Sequence, residues 1–385
     1  MFSRSLYLIL IISVIISACR KDTPVEDCGT IVPPLDVQSI DSSLVAVADS
    51  MLPWLRDMQG PLGLLPTASG SELISLYDNA LAACCFIAAE DYARAELIFD
   101  YFHARLSSEM QSGVGGYFQF RYLSGQPTGN RWMGDNAWLL IALNNYASAT
   151  GSTQYDDMRS ALSTWLQSLQ DVDGGLWGGT DINGAQIGKV TEGNIDAFNA
   201  VSGFTEFHAG ILQFIEEQRW DSAEQLIVSW PGSNYYYALD NFSWGYCTFE
   251  DAPIGFLEAA IRFENAQWME AVQDSIRGYC FDEDRDAVWM EGTAQLAVAW
   301  AKANRYEEVN SLLNELAKAR VYAGAGMGIP YASNLGTGYG NGVLWQGADT
   351  NPAVAATTWY IMAAYDFDPM EVGYEKGIPT ELKFW

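Results

Sequence analysis

The chain has 385 residues, with 48 Asp and Glu against 20 Lys and Arg and a net charge of −28. So few cations argue against nucleic acid and anionic polymers as partners, because phosphate and uronate need Lys or Arg to pair with. Only His103 and His208 are present, which excludes a histidine-rich metal centre, and no serine nucleophile elbow, phosphate loop or cofactor motif occurs.

In chain order, the first element is not part of the fold. Arg4 precedes the apolar run "LYLILIISVII", and "ISAC" ends at Cys19. A charged start, a hydrophobic stretch and a small-residue cleavage site make a signal peptide. The stretch is too short to span a bilayer comfortably. The cysteine after "ISA" resembles the bacterial lipobox. That resemblance implies cleavage before Cys19, lipidation of its thiol and a lipid-anchored place in the bacterial cell envelope, at the outer membrane or cell surface. Residues 1–18 are then the signal peptide. Residues 19–40 are the lipidated cysteine and a tether, with three prolines between Arg20 and Leu35.

From residue 41 to 370 the chain reads as helical, with apolar residues at spacings of three and four. A lone helix at 42–57 opens the fold. Five pairs follow, at 76–90 with 92–108, 135–149 with 154–169, 193–217 with 219–230, 252–263 with 265–278, and 291–303 with 305–319. An apolar helix at 352–366 closes the fold and pairs with the first. Residues 371–385 are a C-terminal tail. The first member of each pair is apolar all round, as in "NAWLLIALNNYA", and a helix of that kind is buried. The second carries charge on one face, as in "EEVNSLLNELAKA". Six buried helices inside six amphipathic ones make an all-α (α/α)6 toroid. An open solenoid of the same pairs is the alternative. The unequal repeats and long Gly-rich loops suit the closed ring better.

Acids recur where the inner helices begin: Asp78, Asp135, Glu192, Glu250 with Asp251, Glu291, and Asp349. Parallel inner helices would gather them at one mouth. Trp132, Trp244, Trp289 and Trp345 lie just upstream of these acids, Trp177 sits in the loop "DGGLWGG", and Tyr77 precedes Asp78. Carboxylates with aromatic rings on one rim are what a carbohydrate cleft needs. The plainer reading of Asp78 and Asp135 is helix capping. The dipole and the Thr191 cap account for Glu192 equally well. Glu291 follows Met290, which caps nothing. "TEGN" and "MEGT" repeat an odd Glu-Gly start. The expectation is that Glu reaches into the cleft while Gly193 and Gly292 let substrate approach. Asp78, Asp135, Glu192 and Glu291 are therefore the candidate catalytic residues. Trp132, Trp177, Trp244, Trp289, Trp345 and Tyr77 are the candidate sugar contacts.

Other signals are weak. Cys84 and Cys85 lie in an apolar run as buried small residues. Cys247 and Cys280 are the pair that an oxidising compartment could join. "DEDRD", Asp282 to Asp286, could hold calcium but lacks the glycine and terminal acid of an EF-hand loop, so a solvated loop fits better. His208 reads as a core residue of the third inner helix.

"GDNAWLLIALNNY", "DGGLWGG", "TEGNIDAFNA" and "VWMEGTAQLAVAW" resemble segments of the six-hairpin glycosidase superfamily, over about residues 42–366. The resemblance implies the toroid and a glycoside hydrolase acting on a neutral glycan with two carboxylates. It assigns no pair. A helix N-terminus lowers a carboxyl pKa, which suits the base or nucleophile, and the acid needs a drier setting beside a Trp. Sugar epimerases of the superfamily use histidines on inner helices, which this chain is too poor in histidine to supply. The DxDD motif of toroidal terpene cyclases is absent. A non-catalytic glycan-binding lipoprotein and a polysaccharide lyase are the rival readings. The lyase is disfavoured because uronates want cations and a Tyr or His base.

Overall fold

A computed structural model describes residues 39–336 and 343–385; the expected signal peptide, Cys19 and most of the expected tether lie outside the described residues. Six inner helices alternate with outer ones. The inner set is α2 (Leu76–Ala88), α4 (Met133–Thr150), α6 (Thr191–Ala200), α8 (Leu239–Thr248), α10 (Met290–Lys302) and α12 (Val354–Ala364). The outer set is α1 (Ser42–Met58), α3 (Tyr92–His103), α5 (Asp156–Ser168), α7 (Glu206–Gln218), α9 (Gly255–Glu258) and α11 (Tyr306–Lys318). Each inner helix packs on the next, and α12 packs on α2. The ring is therefore closed, and the solenoid alternative falls. Every residue of α12 is buried, as is α4 from Met133 to Tyr146. The outer α11 buries only a stripe around Val309, Leu312, Leu313 and Leu316.

Hydrogen bonds between repeats hold the mouth. The first amide of an inner helix has no intrahelical partner, and here a neighbouring repeat supplies one. Leu76 N–H donates to Gln119 O (2.8 Å), Met133 to Gly178 O (3.0 Å), Leu239 to Phe281 O (2.9 Å) and Met290 to Tyr331 O (3.1 Å). The last helix returns to the first loop through Val354 N–H to Thr67 O (2.9 Å). In α6 the hydroxyl of Thr191 donates to Val228 O (3.1 Å). Three residues into five of these helices, all but α8, an Asn or Thr pins the incoming segment. Asn79 brackets the amide and carbonyl of Leu65, Asn136 those of Tyr117, and Asn194 those of Leu176. Thr293 accepts from Tyr279 N–H, and Thr357 from Ile329 N–H. Side-chain capping is thus rare at the mouth. Ser75 caps α2, while the N-caps of the other five inner helices make no side-chain bond. Asp78 and Asp135 sit inside the first turn and are not caps, so the capping reading of both fails.

Two repeats differ from the expected pairs. The run expected as one helix at 193–217 breaks after Ala200, where Gly203 takes a left-handed φ of +77°. Its second half is the outer helix α7, and 219–230 holds a hairpin of Trp220–Asp221 with Leu226–Ile227. The fourth inner helix is α8, not 252–263. Residues 255–263 form the short outer α9 and a 3-10 turn, and Glu264–Met269 pairs antiparallel with Asp274–Tyr279. Asp282 also departs from the solvated-loop reading, being 2% exposed.

The tail after residue 370 packs under the far end of the ring. Tyr374 OH donates to Asn199 O (3.0 Å), Glu250 accepts from Gly377 and Ile378 N–H, and Trp385 stacks on Phe249. Cys84, Cys85, Cys247 and Cys280 are free buried thiols, so the Cys247–Cys280 disulfide is not formed.

Candidate active site

The inner helices place equivalent positions in layers. In the first turn, Asp78, Asp135, Asp240 and Glu291 line one cleft of about 620 Å³, with Tyr77, Trp244, Trp289 and Trp345. Glu192 joins the same layer beside Asp240, its Oε1 3.5 Å from the Asn241 amide. One turn deeper, Trp138, Trp244 and Trp359 plug the ring, with ring centroids 5.4 and 5.6 Å apart. Asp196 sits in that deeper layer and is 3% exposed. These packed indoles form the bottom of the cleft.

Glu291 is the most constrained of the acids. Tyr77 OH donates to its Oε1 at 2.6 Å, Gln295 Nε2 donates to the same oxygen at 3.2 Å, and Trp359 Nε1 donates to Tyr77 OH at 3.3 Å. Oxygens of Asp135, Glu192 and Asp196 are buried without a hydrogen-bond partner among the described residues. Unpaired buried acceptors of this kind are costly in a core, and of these three residues only Asp135 lines the cleft.

Burial decides their protonation. The helix dipole offers an N-terminal carboxylate about 0.3–1 kcal/mol, whereas removing a charge from water costs several. Burial accordingly pushes Glu291 and Glu192 up to about 7 and Asp135 up to about 8. The donors on Glu291 and Asn241 beside Glu192 offset part of this. Asp78, Asp196 and Asp240 are raised well above the carboxylate range, by burial first and then by neighbouring acids. The expectation that helix starts lower these pKa values is thus reversed. No Lys or Arg lines the cleft among the described residues.

The structure redistributes the expected residues. Glu250 and Asp251 lie at the opposite end of α8, where Glu250 binds the tail and Asp251 pairs with Lys383 (2.8 Å). Asp349 stands outside α12, which has no acid in its first turn. Trp244 and Trp289 are only 7% and 3% exposed, so they build the floor, while Trp345 at 46% offers an open face. Trp132 is the residue before α4, and Trp177 has Lys189 Nζ 5.0 Å over its ring; neither lines the cleft. The glycines serve packing. A Cβ on Gly292 would fall 2.0 Å from the Trp289 ring, and one on Gly193 2.7 Å from Met133 Cε. Gly292 seats the Trp289 ring, and Gly193 lies against the flexible end of Met133. Asp240 is the missed acid. "ALDNF" repeats the Asp-Asn of "LYDNA" and "GDNAW", and that repeat marks the start of α8.

Neither histidine reaches the cleft. His103 pairs with Asp157 on the outer surface, and His208 closes a capping box with Thr205 on the outer α7, contrary to its expected place in an inner helix. Away from the cleft, Cys280, Asp282 and Asp284 bring ligand-type atoms within 4.8 Å of one another. The Asp284 and Asp286 amides donate to the preceding acids there, which organises the loop as turns.

No family model and no curated protein matches the sequence. Solved structures do match in shape. A wild-type glycosidase superposes with a TM-score of 0.58 at 12% identity, covering 84% of this chain and 97% of that one. A cellobiose 2-epimerase from Spirochaeta thermophila gives 0.59 at 12%, covering 84% and 95%. A D-mannose isomerase gives 0.56 at 12%, covering 84% and 96%. The chain shares the (α/α)6 toroid fold of these structures. Within the six-hairpin ring, the acids of the inner-helix first turns occupy the mouth, and the indoles one turn below form its floor.

Proposed function

We propose that the protein is a glycoside hydrolase that cleaves a neutral oligo- or polysaccharide with a pair of carboxylates, anchored to the membrane by a lipidated Cys19. The observation that carries the reading is the convergence of Glu291, Asp78, Asp135 and Asp240 in one cleft with open aromatic surface and no cation among the described residues. Hydrolysis needs one carboxyl that gives a proton to the glycosidic oxygen and one that activates water or attacks the anomeric carbon. Glu291 suits the second role, because Tyr77 and Gln295 donate to its Oε1 and favour the ionised form. Asp135, held up to about 8 by burial, suits the first, because it keeps its proton at neutral pH. The absence of a cation from the cleft among the described residues disfavours uronate substrates and hence the lyase reading.

The solved neighbours include sugar epimerases and isomerases as well as glycosidases. Proton shuttling between sugar carbons by histidine has no histidine to use at this mouth. Incubating the purified protein with a panel of neutral glycans, followed by product analysis, tests the proposal. New reducing ends are expected. An isomerised sugar of unchanged chain length, or no product from any glycan, would refute it.

A further inference from the structure

Beside the cleft, the loop from Ser229 to Tyr237 leads into α8 and forms a groove of about 550 Å³ with Trp220 and Trp230. The loop is preorganised. Pro231 and Gly232 occupy a tight turn closed by Ser233 N–H to Trp230 O (3.2 Å), with Gly232 at φ +94°. Trp230 and Tyr235 meet edge to face at 5.6 Å. Asp221 accepts from both Tyr236 OH (3.2 Å) and Tyr237 OH (3.1 Å), which fixes Tyr236 while 55% of it stays exposed. Ser229 is 5% exposed, and its hydroxyl lacks a partner among the described residues. Among the described residues the groove's lining has one charged residue, Glu217, and no cation.

This groove is joined to the cleft by rings. Tyr235 stands edge-on to Phe281 at 5.0 Å, and Phe281, a cleft residue, stands edge-on to Trp289 at 5.1 Å. Trp289 leads through Tyr331 to Trp345 at 6.4 and 4.7 Å. A chain of packed rings, buried at Tyr331, Trp289 and Phe281 and open at its ends, therefore links Trp345 at the cleft to Trp230 and Tyr236 in the groove. The backbone agrees, since Val228, which enters the loop, accepts from Thr191 at the mouth of α6.

We infer that the groove of Trp230 and Tyr236 is a distal subsite that takes a further neutral sugar of the same glycan chain bound across the cleft. The substrate is then an oligosaccharide longer than the cleft, and the fixed rings select for chain length. Aromatic faces held rigid before binding lose little freedom on contact. This inference rests on the glycoside-hydrolase reading for the chemistry at the cleft.

Its test uses the Glu291→Gln protein, so that bound glycan stays intact, with neutral oligosaccharides of two, four and six sugars from the cleavage panel. Affinity is expected to rise with length, and Trp230→Ala or Tyr236→Ala to remove about tenfold of the six-sugar affinity while leaving two-sugar affinity unchanged. Tyr236→Ala, at an exposed ring, keeps the test valid if Trp230→Ala unfolds. Affinity independent of length, or length dependence that survives both substitutions, would overturn the distal subsite while leaving the hydrolase intact. Binding of no neutral glycan at any length would overturn both.

Discussion

At the scale of the residue, Tyr77 lines the cleft and donates to Glu291, so it positions that carboxylate. Tyr77→Phe removes the donor that holds the Glu291 pKa down. If Glu291 works ionised, the acidic limb of kcat/KM, near pH 7, should move to higher pH, whereas an unchanged limb would free Glu291 of that role. The buried acids also set the pH dependence of stability. Glu291, Glu192 and Asp135 have folded pKa values of about 7, 7 and 8, above their ordinary 4.5, 4.5 and 3.8. Between those limits the folded state binds more protons than the unfolded chain, so stability falls as pH rises. The melting temperature should be higher at pH 5 than at pH 8. Glu192→Gln should raise it at pH 8 by a few degrees, and a fall there would contradict the assignment. Glu291 and Asp135 are legible in sequence because each opens a strongly apolar run. Asp240 is hidden because its helix is only ten residues long and rich in Asn, Ser and Gly. The Asp-Asn repeat is its only local trace.

At the scale of the element, the mouth is built by neighbouring repeats and not by caps. Asn136→Ala would leave the amide and carbonyl of Tyr117 unpaired and should cost about 2–4 kcal/mol, read as a lowered denaturation midpoint with little change in slope. Gly292→Ala distinguishes packing from access. A Cβ cannot share the space of the Trp289 ring, so the variant should lose about 1–3 kcal/mol of stability. Unchanged stability with a raised KM would favour the substrate-access reading. The long apolar helices α4, α10 and α12 are readable from the sequence because burial on all sides leaves no polar stripe. The third and fourth repeats are not, because a turn at Gly203 divides one apolar run between two layers, and because the hairpin at 264–279 carries residues that also suit an amphipathic helix.

At the scale of the whole molecule, the layered mouth opens above an indole floor, and Cys19 would hold that cleft at a membrane. Cys19→Ala should leave an unlipidated precursor that stays out of the detergent phase; normal partitioning of the variant would exclude the lipid anchor. The toroid is legible because its repeats alternate all-apolar with amphipathic helices. The identity of the acid pair is not, because it depends on how six helices bring their first turns together. The most direct measurement is the hydrolysis rate of the wild type against Glu291→Gln and Asp135→Asn on the same neutral glycan. Each substitution keeps shape and removes the titratable group, so both should cut kcat by a factor of about 10³ or more while the melting temperature is unchanged or higher. Full activity in both would contradict the account and move the chemistry to Asp78, Asp240 or Glu192.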